Sequence, residues 1–95
     1  SVSDANEAFK WGNTDKGNEI IDKVIAEKVD GGMTQKEAEA SVRSSLTSYW
    51  KERYIEAYKR NDTDEMRKIR KILASTGLYD DVLETCSDWI KSIKG

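Results

Sequence analysis

Residues 34–60, TQKEAEASVRSSLTSYWKERYIEAYKR, contain neither glycine nor proline, and apolar residues return every three or four positions along them. Ala38, Val42, Leu46, Tyr49 with Trp50, Tyr54, and Ala57 with Tyr58 fall on one stripe, the spacing of an amphipathic α-helix. At the head of the stretch Thr34 and Glu37 form a capping box, each side chain able to satisfy a backbone N–H that the first turn leaves open. The spacing predicts a long central helix ending near Arg60. At 1.5 Å per residue it extends about 40 Å, more than the roughly 32 Å diameter of a compact chain of this length. It must therefore act as a spine with a projecting end, or bend near Ser44-Ser45 or Thr47-Ser48, where hydroxyls compete for backbone carbonyls.

Shorter helices flank the spine. Ser3 or Asp4 caps a first one from Asp4 to Trp11, with Ala5, Ala8 and Phe9 on one face, and Gly12-Asn13 ends it. Asn13-Thr14-Asp15 opens a second, carrying Ile20, Ile21, Val24, Ile25 and Val29, and Asp30-Gly31-Gly32 stops it. Beyond the spine, Asn61-Asp62-Thr63-Asp64-Glu65 caps a helix with Met66, Ile69, Ile72 and Leu73 inward. Gly77 is its left-handed stop, with Leu78 and Tyr79 covering the junction. Asp80 or Asp81 then caps a last helix bearing Val82, Leu83, Cys86, Trp89, Ile90 and Ile93. The fold class expected is all-α: one compact bundle of about five helices over residues 1–95, built on the long central helix.

The two ends of the chain also resemble each other. At an offset of 49, Ala8 pairs with Ala57, Lys10 with Lys59, Thr14 with Thr63, Asp15 with Asp64 and Ile20 with Ile69, five identities in eighteen positions. With four residues gapped, Gly32-Met33 pairs with Gly77-Leu78 and Glu39 with Glu84. Two tandem helix-pair units, residues 4–33 and 53–79, are one reading. Convergence of capped helices is the other.

Composition narrows the chemistry. The chain has 95 residues, 37% hydrophobic and 36% charged, yet a net charge of only −2, unlike the strong imbalance that keeps chains disordered. A chain this long can bury roughly 60–65% of its unfolded surface, enough for a core without disulfide or metal. Proline and histidine are absent and Cys86 is the single cysteine. No internal disulfide can form, and the usual zinc sites and imidazole bases have no residues to build them. A reducing compartment is favoured. No apolar run approaches the roughly 20 residues that span a bilayer, and no signal-peptide pattern stands at Ser1. A start at Ser1 without Met reads as a processed product or a piece of a longer chain.

No catalytic, metal-binding or cofactor-binding residue emerges. Asp62, Asp64, Glu65, Asp80 and Asp81 are accounted for as helix starts, and neither Asp62-x-Asp64 nor Asn13-x-Asp15 continues into a calcium loop. Cys86 sits in an apolar stripe, as a buried thiol does, with no base to activate it. The glycines form no phosphate loop. What remains is surface. Between residues 51 and 71, eight basic residues face five acidic ones, whereas the first 48 residues carry −3. Arg53, Arg60, Arg67, Arg70 and Lys71, with Tyr54 or Tyr58 as stacking partners, would suit phosphates if they converge. An ordinary solvated face is the competing reading. Trp11, nearest a terminus of the three tryptophans, is a candidate exposed anchor for a protein partner.

Ser48-Tyr49-Trp50-Lys51, Ala57-Tyr58-Lys59, Asp62-Thr63-Asp64-Glu65-Met66, Ile69-Arg70-Lys71, Thr76-Gly77-Leu78-Tyr79 and Trp89-Ile90-Lys91 resemble a helical segment that recurs in large bacteriophage and prophage proteins of gut-type bacteria. The resemblance covers residues 42–91, with a looser echo in residues 5–30. It implies a phage-encoded module often attached to larger virion-associated or polyvalent proteins, found in the host cytoplasm or the virion, with no catalytic residues. The expected role is a non-enzymatic interaction or structural module docking to a protein partner or to its parent polypeptide. A nucleic-acid-binding module on residues 51–71 and a small inhibitor of a host enzyme are the alternatives. Trp11, Arg53, Tyr58, Arg60, Arg67, Arg70 and Lys71 are the candidate partner-binding residues.

Overall fold

The computed structural model describes residues 1–94; Ile90 and Ile93, expected on the inner stripe of the last helix, lie outside the described side chains. The fold is all-α, with helices α1 (Val2–Lys10), α2 (Thr14–Asp30), α3 (Gln35–Lys59), α4 (Thr63–Thr76) and α5 (Tyr79–Lys94), and no strand among the described residues. The chain divides into two compact units, Ser1–Leu46 and Thr47–Gly95, and the division falls within α3. That helix runs for 25 residues without interruption. Ser45 Oγ donates to the Ser41 carbonyl at 3.3 Å, the competing bond expected of a mid-helix hydroxyl, and the helix continues through it.

The first unit joins α1, α2 and α3 as far as Leu46. Its buried apolar residues are Ala5 and Phe9 from α1, Val24 from α2, and Ala38, Val42 and Leu46 from α3. α1 starts two residues earlier than the sequence predicts. Ser1, not Ser3 or Asp4, is the cap: its hydroxyl accepts the Asp4 N–H at 3.4 Å while the Asp4 carboxylate reaches back to Ser1. The two reciprocal bonds satisfy donors that the first turn otherwise leaves open. α2 begins as expected, with the Asn13 side chain accepting the Lys16 N–H at 3.4 Å. Gly17, one turn further on, is buried against α1, where a Cβ would overlap the edge of the Phe9 ring. A glycine there lets a fully buried aromatic lie on helix backbone.

At the start of α3 the capping box is complete. The Thr34 hydroxyl accepts the Glu37 N–H and Glu37 Oε1 accepts the Thr34 N–H, both at 3.1 Å. The bonds from the Thr34 backbone and hydroxyl favour the ionised form and hold the Glu37 carboxyl below its ordinary range. Because the folded-state pKa is the depressed one, this contribution to stability is present above the ordinary carboxylate range and lost as pH falls through the lowered pKa.

The second unit joins the remainder of α3 to α4 and α5. Trp50, Tyr54 and Ala57 from α3, Ile69 and Leu73 from α4, and Leu78, Val82 and Cys86 from the α5 side are buried. Met66, Ile72, Leu83 and Trp89, expected inward, are half-buried. Asp62 caps α4, accepting the Glu65 N–H at 3.1 Å. The expected cap of α5 by Asp80 or Asp81 is corrected: α5 begins at Tyr79, both aspartates lie in its first turn, and the Leu78 carbonyl receives the Val82 N–H. Only Gly77 and Leu78 separate the two helices, so the residue before α5 is the buried Leu78 itself, and the aspartates act through the helix dipole.

All four junctions use one device. A residue with positive φ follows each helix at Gly12, Gly32, Asn61 and Gly77. The next N–H then bonds five residues back: Asn13 to the Ala8 carbonyl, Met33 to Lys28, Asp62 to Ala57 and Leu78 to Leu73, at 2.9 to 3.1 Å. This is the left-handed helix stop with its long-range closing bond. Asn61 (φ 58°) takes the place of glycine, as asparagine can.

Gly17→Ala is expected to destabilise the protein by about 1–2 kcal/mol, because overpacking against Phe9 outweighs the gain of about 1 kcal/mol in helix propensity. Gly31→Ala, where a Cβ meets only carbonyl oxygens at 3.5 Å, is expected to be neutral or slightly stabilising. Urea melts of the two variants check the contrast, and a stabilised Gly17→Ala contradicts it.

Candidate partner-binding surface

Trp11 belongs to the first unit, and the other six candidate residues to the second. Trp11 is the C-cap of α1, where Gly12 turns the chain away, and 77% of it is exposed. Its indole N–H donates to Glu7 Oε1 at 3.2 Å, one turn back on the same helix. The ring is thus held against α1 with its donor satisfied. Glu7 is not among the residues that the sequence singles out, although the four-residue spacing from Trp11 is the signal that finds it.

In the second unit Arg53 is the best-connected of the candidates. Nη1 donates to Tyr49 Oη and Nη2 to Glu65 Oε1, each at 3.1 Å, and the guanidinium lies 5.7 Å from the Tyr49 ring centroid and 5.8 Å from that of Trp50. Nε is buried and has no hydrogen-bond partner among the described residues. Burial works against the charge, but the bonds to Tyr49 and Glu65 outweigh it and raise the pKa, so the group is held as a cation. Glu65 stands twelve residues away across the α3–α4 turn, so helical spacing does not reveal the pair.

The remaining basic groups are largely occupied. Arg70 Nη1 donates to Tyr54 Oη at 3.2 Å, and Tyr54 is itself buried, which removes it as a stacking platform. Arg60 lies 3.8 Å from Asp62, Arg67 3.7 Å from Asp64, and Lys59 3.8 Å from Glu56 and 5.6 Å from the Trp89 ring centroid. Tyr58 meets Trp89 edge-on at 6.4 Å and is half-buried. Lys68 and Lys71 are exposed and have no ion-pair partner among the described residues.

Beside the α3–α4 turn, Glu52, Arg53, Glu56, Arg60 and Glu65 line an open groove of about 350 Å³. Three carboxylates and two guanidiniums can accept a charged side chain there. Cys86 is buried, burial pushes its thiol pKa up despite the opposing charge of Lys51, and Sγ lies 3.9 Å from the Lys51 carbonyl. It packs as a small apolar group. Among the described residues no group of three or more His, Cys, Asp or Glu gathers to hold a metal ion, and no helix is long and apolar enough to cross a membrane.

Comparison with protein families, with curated proteins and with solved structures finds no match to this chain.

Arg53→Ala is expected to cost about 1–2 kcal/mol of stability, from a partly exposed ion pair and a cation–π contact of roughly 0.5–1 kcal/mol each. Arg53→Lys recovers less than half of that, because an ammonium cannot bridge Tyr49 and Glu65 as a planar fork does. Chemical denaturation measures both. A loss below about 0.3 kcal/mol on truncation, within the range of ordinary surface substitutions, contradicts the structural role given to Arg53.

Proposed function

We propose that this chain is a non-enzymatic helical interaction module, phage-encoded and acting in the bacterial host cytoplasm or the virion, that docks to a protein partner or to its parent polypeptide through the surface around Trp11. The observation that carries the reading is the exposure of Trp11 together with its bond to Glu7. A large apolar ring left in water is held in one orientation, and covering it strands no donor. That combination favours an anchor: apolar area is available for burial, and less side-chain freedom remains to be lost on docking. The phage assignment rests on the resemblance over residues 42–91.

The nucleic-acid alternative is weakened because Arg53, Lys59, Arg60 and Arg67 each already meet a carboxylate of the same chain. Phosphate binding would have to displace those contacts. An inhibitor of a host enzyme would use the same anchoring surface and is one form of the proposed role.

Photo-crosslinking from Lys10, adjacent to Trp11, in infected or lysogenic cells is expected to give a discrete protein adduct that Trp11→Ala reduces at least about tenfold, as loss of a central aromatic anchor does. The same substitution leaves stability within about 0.5 kcal/mol, as for other exposed positions. An adduct indifferent to Trp11→Ala, or no adduct at all, overturns the reading.

A further inference from the structure

α2 and α4 are matched helices. At an offset of 49 their caps, Asn13 and Asp62, each accept the N–H three residues on. Each follows a positive-φ residue, Gly12 or Asn61, and the closing bonds end on Ala8 and Ala57, again 49 apart. Val24 and Leu73 are the matched buried positions. Two outward positions carry opposite signs, Glu19 corresponding to Lys68 and Asp22 to Lys71, all four exposed, whereas the exposed Asp15 and Asp64 correspond with the same sign. None of Glu19, Asp22, Lys68 and Lys71 has an ion-pair partner among the described residues. Of the charges of the 51–71 segment that do have partners, Arg53, Lys59 and Arg60 lie outside α4, and Arg67, one turn before Lys71, is paired with Asp64.

We propose that the acidic face of α2, centred on Glu19 and Asp22, docks on the basic face of α4, centred on Lys68 and Lys71, of a second copy of this chain. Charge complementarity selects that occupant. α2 carries −2 and α4 carries +2, while the whole chain is only −2, so two copies juxtapose opposite charges without accumulating them. Next to the charged positions stand exposed short side chains, Ala26 on α2 and Ala74 and Ser75 on α4, which let two helices approach closely. The two faces are different surfaces of one chain. Such a contact engages both faces at once where two copies pair reciprocally, and otherwise passes head to tail from copy to copy. Exposed ion pairs are individually weak and screened by salt, so association is weak and strongly dependent on ionic strength. This surface does not include Trp11 and stands independently of the role proposed for it.

Sedimentation velocity of the full chain at about 1 mM decides the matter. In about 20 mM NaCl the weight-average mass is expected to exceed the monomer mass at least about 1.5-fold, and to return to monomer near 0.5 M NaCl, where the screening length falls to roughly 4 Å. Glu19→Lys with Asp22→Lys, and separately Lys68→Glu with Lys71→Glu, each give a monomer at low salt. An equimolar mixture of these two double variants associates again, since one presents two basic faces and the other two acidic ones. Trp11→Ala associates like the unmodified chain. A monomeric wild type at low salt overturns the proposal, including the case in which added single-stranded RNA shifts the boundary, and so does association that persists in both double variants. If either double variant loses its helical circular dichroism, the salt titration of the wild type decides alone: association lost near 0.5 M NaCl supports the proposal, and a mass indifferent to salt overturns it.

Discussion

The left-handed stop is the constraint on which the rest of the structure depends. A chain without proline, carrying a charged residue at more than every third position, has little in its composition to end a helix at a fixed place. Gly12, Gly32, Asn61 and Gly77 supply the four positions where the backbone can turn at positive φ, and the bond five residues back locks each turn. Once those turns are fixed, the register of every following helix is fixed with them. Phe9 meets Gly17, Arg53 meets Glu65, and Cys86 reaches the Lys51 carbonyl.

The charged residues divide into two populations with different consequences. One is engaged within the fold: Asp62 on a cap, Glu37 on a capping box, Glu65 on Arg53, Glu7 on an indole. These bonds satisfy donors that helix ends or long side chains would otherwise leave open. The other population stands outward without an ion-pair partner among the described residues, Glu19 and Asp22 with Lys16 and Lys23 on α2, and Lys68 and Lys71 on α4. Trp11 is the apolar counterpart, a large ring excluded from the core because Gly12 turns the chain immediately after it.

Much of this was legible in the sequence, and the failures have physical reasons. The length of α3, the caps at Asn13, Thr34 and Asp62, and the stops at Gly32 and Gly77 follow from side-chain chemistry that acts within four residues. The start of α5 did not, because two polar candidates at Asp80 and Asp81 outranked Leu78, and only the short turn at Gly77 excludes them. The same short turn shifts the match between the two ends of the chain. Identity pairs Glu39 with Glu84, but the buried Ala38 and Val42 correspond to Val82 and Cys86, one residue earlier, since one residue fewer separates Gly77 from α5 than Gly32 from α3. The division after Leu46 left no mark, as no breaker stands there. Of the candidate surface, Trp11 was singled out by its place nearest a terminus, and it is exposed. The occupation of Arg53 by Glu65 was not legible, because it crosses a turn.

Amide hydrogen exchange at the four closing bonds tests the account most directly. The N–H groups of Asn13, Met33, Asp62 and Leu78 are predicted to exchange at least about tenfold more slowly than the first-turn amides of Thr63 and Asp64, as expected for amides whose exchange requires opening of a turn. Exchange of those four at the rate of the open first-turn amides would contradict the left-handed stops, and with them the register of the helices that follow.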